Sequence, residues 1–315
     1  MIQKSLAMIL GLFLLATPAV AGGNYLDITD IGSSARAIRL GQVEGFSPYA
    51  NSVFENPAAL YRIRRFSVSA FTSKLMDEAN FKNVAVSMRM PYGVIGLGLM
   101  SVDVGDLKKT QAIGVESNVI GDLSGDWYIS ETGETFGYSS LVAKVSYSVS
   151  QTRNLHFGVS GVYYSNSIEK YTGSGFNMDA GMVLDTGAFN TSITLKNVIA
   201  GLKVNYNNGG SETLPLQAIY AVRYTMGDFQ LHGQIKTVGS NKMLRAASLN
   251  YRPSFVPFFQ VSGGYREFNV ITDVKSGLAL GIGLEVNGIN FDYAMQKSDH
   301  IQYDNNHYFS VSLNL

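Results

Sequence analysis

An alternation of apolar residues with small or polar ones runs through most of the chain after residue 65, and its period is two. In the segment 277–286 every even-numbered residue is large and apolar, whereas the odd-numbered positions hold glycine, alanine or glutamate. The segments 141–149, 229–236 and 289–296 show the same period. Successive side chains of a β-strand point to opposite faces, so each segment predicts a strand with one apolar face.

We predict about 14 strands, because turn residues divide the alternating region at regular intervals. Connections after the even-numbered strands are short, as in "PYG" at 91–93, whereas those after the odd-numbered strands are longer and more polar, as at 106–137. A soluble sandwich also alternates, but it has no reason to keep this parity. The predicted strands begin near Phe66, Asn83, Val94, Ser140, Leu155, Phe176, Phe189, Leu216, Phe229, Met243, Phe258, Gly277, Ile289 and Tyr308.

The fold class is therefore predicted as all-β, a transmembrane antiparallel up-and-down β-barrel over residues 65–315. In such barrels the tight turns are periplasmic and the large loops external. We thus expect the turn at Pro91–Gly93 on the periplasmic side and the segment 106–137 outside. The final stretch, "HYFSVSLNL", keeps the alternation to the last residue and resembles the C-terminal strand of outer-membrane barrels.

The first 21 residues are typical of a cleaved export signal. Lys4 precedes an apolar run at 6–15, and Ala19-Val20-Ala21 forms a small-x-small cleavage site. The apolar run is shorter than the roughly 20 residues that a membrane-spanning helix needs. Together with the barrel pattern, this predicts a protein of the bacterial outer membrane, surrounded by its lipid.

Composition argues against several function classes. The chain has 24 Lys and Arg residues against 24 Asp and Glu, so nothing predicts a nucleic-acid partner. It contains no cysteine, and its four histidines are far apart in the sequence, so we expect no metal site and no cofactor. Inward carboxylates such as Asp179, Glu285 and Asp292 could be catalytic, but in barrels such charges more often line a wet lumen. We predict that the protein is not an enzyme.

The segment 22–64 is predicted to be a small plug inside the barrel. Asn56 can cap a helical turn that Pro57 begins, because proline is tolerated at the first helical position. Arg36 and Arg39 are three residues apart and would be neighbours on a helix. Buried arginines require partners, and we expect at least one contact with Asp179, Asp185, Glu285 or Asp292. A disordered leader is the alternative, although the apolar residues of this segment argue against it.

Eight charged residues on the predicted inward faces are candidates to line the lumen. They fall on different strands, and both signs are represented, so ion pairs across the lumen are expected. The candidates are Arg89, Lys144, Asp179, Asp185, Arg223, Arg266, Glu285 and Asp292.

Two motifs of the plug segment carry a family resemblance. "GSSARAIRLG" at 32–41, followed by "NPAAL" at 56–60, resembles the amino-terminal signature of the PorV/PorQ family, within the superfamily of FadL-type outer-membrane transport proteins. The stretch "LKNVIAGLKVNYNNGGSETLPLQAIYAVRY" at 195–224 is similar to a strand, long loop and strand of that family. The resemblance implies a plugged barrel in the outer membrane.

Two functions remain open from the sequence. In FadL-type relatives a barrel conducts hydrophobic small molecules, with the plug as gate, and this is the function we favour. The PorV/PorQ resemblance instead implies an accessory or cargo carrier of type IX protein secretion, with secretion-machinery or cargo proteins as partners. Apolar inward residues favour the conduit, and Phe71, Val142, Val162 and Ile219 are such residues. A purely structural surface protein is a third option.

Overall fold

The computed structural model describes residues 27–75, 79–114, 127–239, 242–270, 273–298 and 305–315. Most of this part of the chain is β-strand, and the helical pieces precede the first strand. The strands are β1 (Phe66–Leu75), β2 (Ala79–Met90), β3 (Gly93–Gly114), β4 (Trp127–Ser150), β5 (Leu155–Ile168), β6 (Tyr171–Asp185), β7 (Phe189–Lys196), β8 (Lys203–Tyr206), β9 (Ser211–Thr213), β10 (Gln217–Met226), β11 (Phe229–Val238), β12 (Lys242–Tyr251), β13 (Phe259–Val270), β14 (Asp273–Val286), β15 (Ile289–Ser298) and β16 (Asn306–Asn314).

All of these strands except β8 and β9 form one closed antiparallel barrel of 14 strands. Each strand pairs with its neighbours in chain order, and β7 pairs directly with β10. The ring closes where β1 pairs with β16, from Ser67 opposite Asn314 to Ser73 opposite Tyr308. The short strands β8 and β9 form a hairpin within the connection from β7 to β10. The predicted fold class is confirmed.

The predicted alternation fixes the two faces of the wall. Leu278 and Leu280 of β14 are 63% and 66% exposed, whereas Gly277, Ala279 and Gly281 between and beside them are buried. The same pattern occurs on β1 and β16. A closed barrel presents its outward residues to lipid and leaves no strand edge unpaired there. The exposed apolar face is therefore the expected lipid surface.

The predicted long connection from β7 to β10 is present, but strands continue into other connections that were expected to be long. Strand β3 runs to Gly114 and β4 begins at Trp127, so most of the segment 106–137 is a hairpin extension. Residues 115–126 lie outside the described ones. The connection between β5 and β6, expected to be longer, is only Glu169 and Lys170. Exposed cross-strand ion pairs, such as Lys108 with Glu131 at 2.9 Å, allow strands to continue in polar sequence. The polar sequence of the segment 106–137 predicts a loop, but most of this segment is strand.

The barrel has two distinct ends. The short-turn end carries the connections at 91–92, 151–154, 186–188, 227–228, 252–258 and 287–288, and the opposite end carries the β8–β9 hairpin. A tilted strand of about 9–11 residues spans the bilayer core, so β3 and β4, with 22 and 24 residues, extend well beyond it at the opposite end. Which end faces the periplasm stays a prediction.

The segment 27–63 lies inside the ring as a plug. It contains a 3₁₀ turn at Ile28–Asp30, helix α1 at Ala35–Arg39, helix α2 at Ser52–Glu55 and a 3₁₀ helix at Pro57–Arg62. The Ser34 hydroxyl accepts a hydrogen bond from the Ala37 N–H at 3.1 Å and so begins α1. Helix α1 packs against β13–β16, and the last 3₁₀ helix packs against β3–β6.

The predicted export signal at 1–21 lies outside the described residues. Among the helices that the structure does describe, none combines the length and the apolar character needed to cross a bilayer.

Candidate functional site

The candidate site is the lumen and the plug that fills it. Arg39, at the end of α1, is fully enclosed, and its Nε and Nη2 donate to Oδ1 of Asp292 at 3.1 and 3.0 Å. Its Nη1 donates to Oδ1 of Asn250 at 3.0 Å. A Cβ atom on Gly281 or Gly283 would lie within 2.7 or 2.8 Å of the Arg39 side chain. The glycines on the inward face of β14 therefore make the space in which Arg39 binds Asp292.

The "NPAAL" motif is held at the opposite side of the plug. Asn56 is fully buried, and its Oδ1 accepts from the Ala58 N–H at 2.9 Å, with Pro57 at the first helical position. The amide of Asn56 donates to the Ser192 hydroxyl at 2.9 Å and to the Ile193 carbonyl at 3.0 Å. Asn56 thus caps a helical turn and joins it to β7.

The end of the plug is fixed near the short-turn end. Arg62 lies 3.5 Å from Asp185, and the Tyr61 hydroxyl also donates to that carboxylate. Arg89 was expected to pair with a carboxylate but has no such pair within the described ranges, and its Nε donates to the Ile63 carbonyl at 2.9 Å. The backbone leaving the plug is thereby held against β2.

The other predicted lumen residues have different environments. Lys144 and Asp179 form a buried ion pair at 2.6 Å. Glu285 pairs with Arg252 at 3.1 Å in a partly exposed position. Arg36 is half-buried, and Arg223 lies with its guanidinium carbon 5.2 Å from the Phe46 ring.

A further set of plug contacts was missed by the sequence reasoning. Glu44 of the plug pairs with Lys196 of β7 at 2.8 Å, and Asp30 pairs with Lys236 of β11. Arg266 of β13 donates to the Asp30 carbonyl at 3.1 Å. The charges of these residues are visible in the sequence, but their pairing depends on the path of the plug. One side of the plug is therefore held by polar contacts to β7, β11 and β13.

The other side of the plug packs in an apolar cluster. The rings of Phe71 and Phe81 lie 5.3 Å apart in an edge-to-face arrangement, and the Tyr308 ring stacks 6.1 Å from Phe71. Val142 and Val162 belong to the same buried cluster. The plug supplies Ile28, Ile31, Ala35, Ile38, Ala50 and Phe54.

The regular pairing of one seam of the barrel wall ends early. Strands β12 and β13 pair from Tyr251 opposite Val261 up to Ala246 opposite Arg266. Both strands continue beyond this point and stay paired to their outer neighbours β11 and β14. The Arg245 N–H donates to the Glu267 carboxylate at 2.9 Å. We call the part of this seam beyond residues 246 and 266 the notch.

A cavity of about 50 Å³ lies between the notch and the plug. Leu244, Ala246 and Phe268 line it from the wall, and Gly41 and Gln42 line it from the plug. A cavity that binds benzene in a protein interior measures on the order of 150 Å³. This cavity is therefore too small for an aromatic molecule until the plug moves.

Glu55 joins the two sides of the plug. Its carboxylate on α2 accepts from the Ser33 hydroxyl at 2.6 Å and from the Gly45 N–H at 3.2 Å. Glu55 is buried, and this burial raises its pKa to about 7 although those two hydrogen bonds favour the ionised form. Glu55 is thus an ionisable group within the plug itself.

No group of three or more His, Cys, Asp or Glu side chains that could hold a metal ion occurs in the part of the chain that the structure covers.

No family model matches the chain, and no curated protein matches it either. Several solved structures are similar to it. The toluene transporter TodX of Pseudomonas putida superposes with a TM-score of 0.61 at 11% identity, over 90% of this chain and 98% of that one. A second structure of that transporter gives a TM-score of 0.57 at 10% identity, over 89% and 96%. A TodX mutant described as a monoaromatic hydrocarbon channel gives 0.55 at 11% identity, over 84% and 94%.

These likenesses establish the fold, a 14-strand plugged barrel of the kind found in outer-membrane channels. The similar structures are transport channels and not enzymes. The PorV/PorQ resemblance stays a prediction, because no family model supports it.

Proposed function

We propose that this protein is an outer-membrane channel for hydrophobic small molecules, with the plug as its gate. The fold is that of the TodX hydrocarbon channels. The buried cluster around Phe71 and Phe81 gives one side of the lumen an apolar lining. The observation that carries the proposal is the notch, where the regular pairing of β12 with β13 ends beside a cavity against the plug.

The notch supplies a route that a sealed barrel lacks. The regular pairing of β12 with β13 reaches Ala246 opposite Arg266, and plug residues lie directly behind the wall next to this point. When the plug withdraws from the wall, an apolar solute in the lumen reaches the lipid without crossing an intact sheet. The short-turn end faces the periplasm in this proposal, and the plug segment is preceded by a cleaved export signal.

The test uses adjacent alanines on opposite faces of β12. Ala246 lines the cavity, whereas Ala247 is exposed on the outer face. Ala246→Trp fills the cavity and should abolish toluene entry into proteoliposomes containing the purified protein. Ala247→Trp adds the same side chain to the lipid face and should leave toluene entry unchanged. Equal toluene entry through both variants and the original protein would overturn the notch as the route.

Deletion of Gly32–Leu60 tests the gate. A barrel without this segment should admit toluene faster than the full chain, provided that it keeps the circular dichroism of a folded barrel. The secretion alternative has no support from the described residues. It would replace the proposal if cells lacking the protein showed normal uptake of fatty acids and aromatics but a depleted set of secreted proteins.

A further inference from the structure

A groove lies on the outer face of the barrel, at the end opposite the short turns, between β5, β6 and the short strand β8. We call it the outer groove. Its volume is about 400 Å³, and small-molecule sites measure about 300–1,000 Å³. The strand residues that line it alternate with more buried ones, so they point away from the lumen. The side chains that line it are Tyr163, Ser165, Thr172, Ser174, Asn205 and Asn207.

The outer groove begins where the lipid-facing surface becomes polar. On β5 the outward residues change from apolar at Val159 to aromatic at Tyr163 and polar at Ser165. Tyr163 lies opposite Phe176 of β6, and their rings are 4.8 Å apart. Aromatic girdles of outer-membrane barrels mark the boundary between membrane and water. The outer groove therefore lies at the level of the lipid head groups.

The hairpin that forms one side of the outer groove is held to the wall by specific contacts. Gly173 of β6 pairs with Tyr206 of β8, and a Cβ on Gly173 would lie 2.6 Å from the Tyr206 ring. The Tyr206 hydroxyl donates to Glu212 at 2.8 Å. The Asn207 N–H donates to the Thr172 carbonyl at 2.9 Å. The outer groove is thus formed before any ligand binds, which reduces the free-energy cost of binding.

The outer groove presents uncharged polar groups. Its hydroxyl and amide side chains supply both hydrogen-bond donors and acceptors, and the Tyr163 ring adds an apolar surface. None of the described residues that line it carries a charge. An ionised phosphate or carboxylate would therefore lose water there without gaining a counter-ion. Charged residues occur on other outward faces, such as Lys74 of β1 and Lys82 of β2. The outer groove thus favours a ligand with many hydroxyl groups and no charge.

We propose that the outer groove binds a neutral saccharide. A sugar ring carries hydroxyl groups that both donate and accept hydrogen bonds, and it has an apolar face of C–H groups. Ser165, Ser174 and Asn205 are successive cross-strand neighbours that bind the hydroxyl groups. The ring of Tyr163 packs against the C–H face. Two sources present this chemistry, the head group of a glycolipid in the adjoining leaflet and a free oligosaccharide.

An array of neutral and acidic oligosaccharides tests the proposal with the full-length protein in detergent. The original protein should bind neutral members of the array and should not bind sialylated, sulfated or phosphorylated ones. Ser174→Trp fills the outer groove and should abolish this binding. Asn205→Ala removes one hydrogen-bonding amide and should weaken the binding by about threefold to tenfold.

The matched controls carry the same substitutions on β2 and β3. Asn80 and Ser101 point outward on these strands, which do not line the outer groove. Asn80→Ala and Ser101→Trp should leave saccharide binding unchanged. The proposal is overturned if no neutral oligosaccharide binds, if acidic ones bind equally well, or if the controls lose as much binding as the groove variants. If circular dichroism shows that Ser174→Trp does not fold, the comparison of Asn205→Ala with Asn80→Ala decides.

Native mass spectrometry separates the two sources of saccharide. If the source is the leaflet, protein extracted from bacterial outer membranes in mild detergent should carry a neutral glycolipid, and Ser174→Trp should carry less of it. Binding on the array by a protein that carries no glycolipid would assign the site to free oligosaccharides. Toluene entry into proteoliposomes should be the same for Ser174→Trp and the original protein, because the outer groove lies outside the lumen. The saccharide site and the channel proposal are therefore decided by different measurements.

Discussion

The plug meets two walls of the same barrel in different ways. On strands β14–β16 and β1–β5, which we call the sealed wall, it packs into the apolar cluster around Phe71 and Phe81. On strands β10–β13, which we call the notch wall, its contacts combine ion pairs, such as Asp30 with Lys236, with a small apolar cluster of Val43, Phe46, Ala221 and Ala246. The strands of the sealed wall pair along long ladders, such as β1 with β2 and β4 with β5, whereas the notch wall contains the notch, where the regular pairing of β12 with β13 ends.

The difference between the contacts at the two walls shows how a plug that fills the lumen can still act as a gate. Apolar packing against the sealed wall is stable only while water is excluded, so these contacts are expected to break together and not one by one. Polar contacts to the notch wall can be exchanged for water at little net cost where they are partly exposed. The plug is therefore expected to leave the notch wall first and to remain attached to the sealed wall.

The largest expected effect comes from comparing two plug ion pairs. Arg39 and Asp292 have side chains that are 0% and 1% exposed, whereas Lys236 and Asp30 are 10% and 34% exposed. Asp292→Asn leaves a buried cation uncompensated and should lower the free energy of unfolding by about 3–5 kcal/mol. Asp30→Asn, in the partly solvated pair, should lower it by about 1 kcal/mol or less.

Urea unfolding of the two variants in lipid-containing micelles measures this comparison. The substitutions are chemically identical, so each is the control for the other. Equal losses of stability would mean that the plug is held as firmly at the notch wall as at the sealed wall.

The next effect concerns Glu55, which links the two sides of the plug. Its pKa of about 7 lies above the ordinary value of 4.5 for a glutamate, so the native state binds more protons than the unfolded state between these two pH values. The contribution of Glu55 to stability should be fully present below pH 4.5 and should fall by up to about 3 kcal/mol as the pH rises to 7 and above.

Glu55→Gln keeps the shape of the side chain and removes the titration, so its stability should lack this fall. Glu131→Gln, at an exposed position of β4, should retain the fall seen in the original protein. Unfolding midpoints measured at several pH values between 4 and 8 compare the three proteins. Identical profiles for the original protein and Glu55→Gln would contradict the role of Glu55.

Much of the fold follows from the sequence, because lipid and lumen impose opposite demands on alternate residues. The alternation predicted the strand number and, at Phe189, Phe229 and Ile289, the first residue of a strand. It failed where strands leave the membrane, since no lipid then requires an apolar face. The polar sequence beyond residue 105 therefore predicts a loop at a place where β3 and β4 continue as strands.

The site was predictable only in part. Arg39 could be expected to need a carboxylate, and Asp292 was one of four candidates, because buried charges require partners whatever the geometry. The pairing of Lys196 with Glu44 depends on where the plug chain runs, which no local pattern encodes. The notch depends on strand register and curvature, and residues 242–246 and 266–270 carry no glycine or proline to mark it.

The most direct test of the two walls compares two strand glycines. A Cβ on Gly264 of β13 would collide with backbone atoms of Gly41 in the plug, and a Cβ on Gly158 of β5 would collide with backbone atoms of Pro57 and Ala58. Each alanine substitution should lower the free energy of unfolding by about 1–3 kcal/mol, because both overpack the same interface.

The two glycine variants should differ in permeability. Gly264→Ala pushes the plug away beside the notch and should speed toluene entry into proteoliposomes. Gly158→Ala pushes it away from β5, which is paired along its length with β4 and β6, so no route opens there. Faster entry in both variants would mean that any displacement of the plug opens the lumen along the barrel axis. Faster entry in Gly264→Ala alone would assign the route to the notch wall.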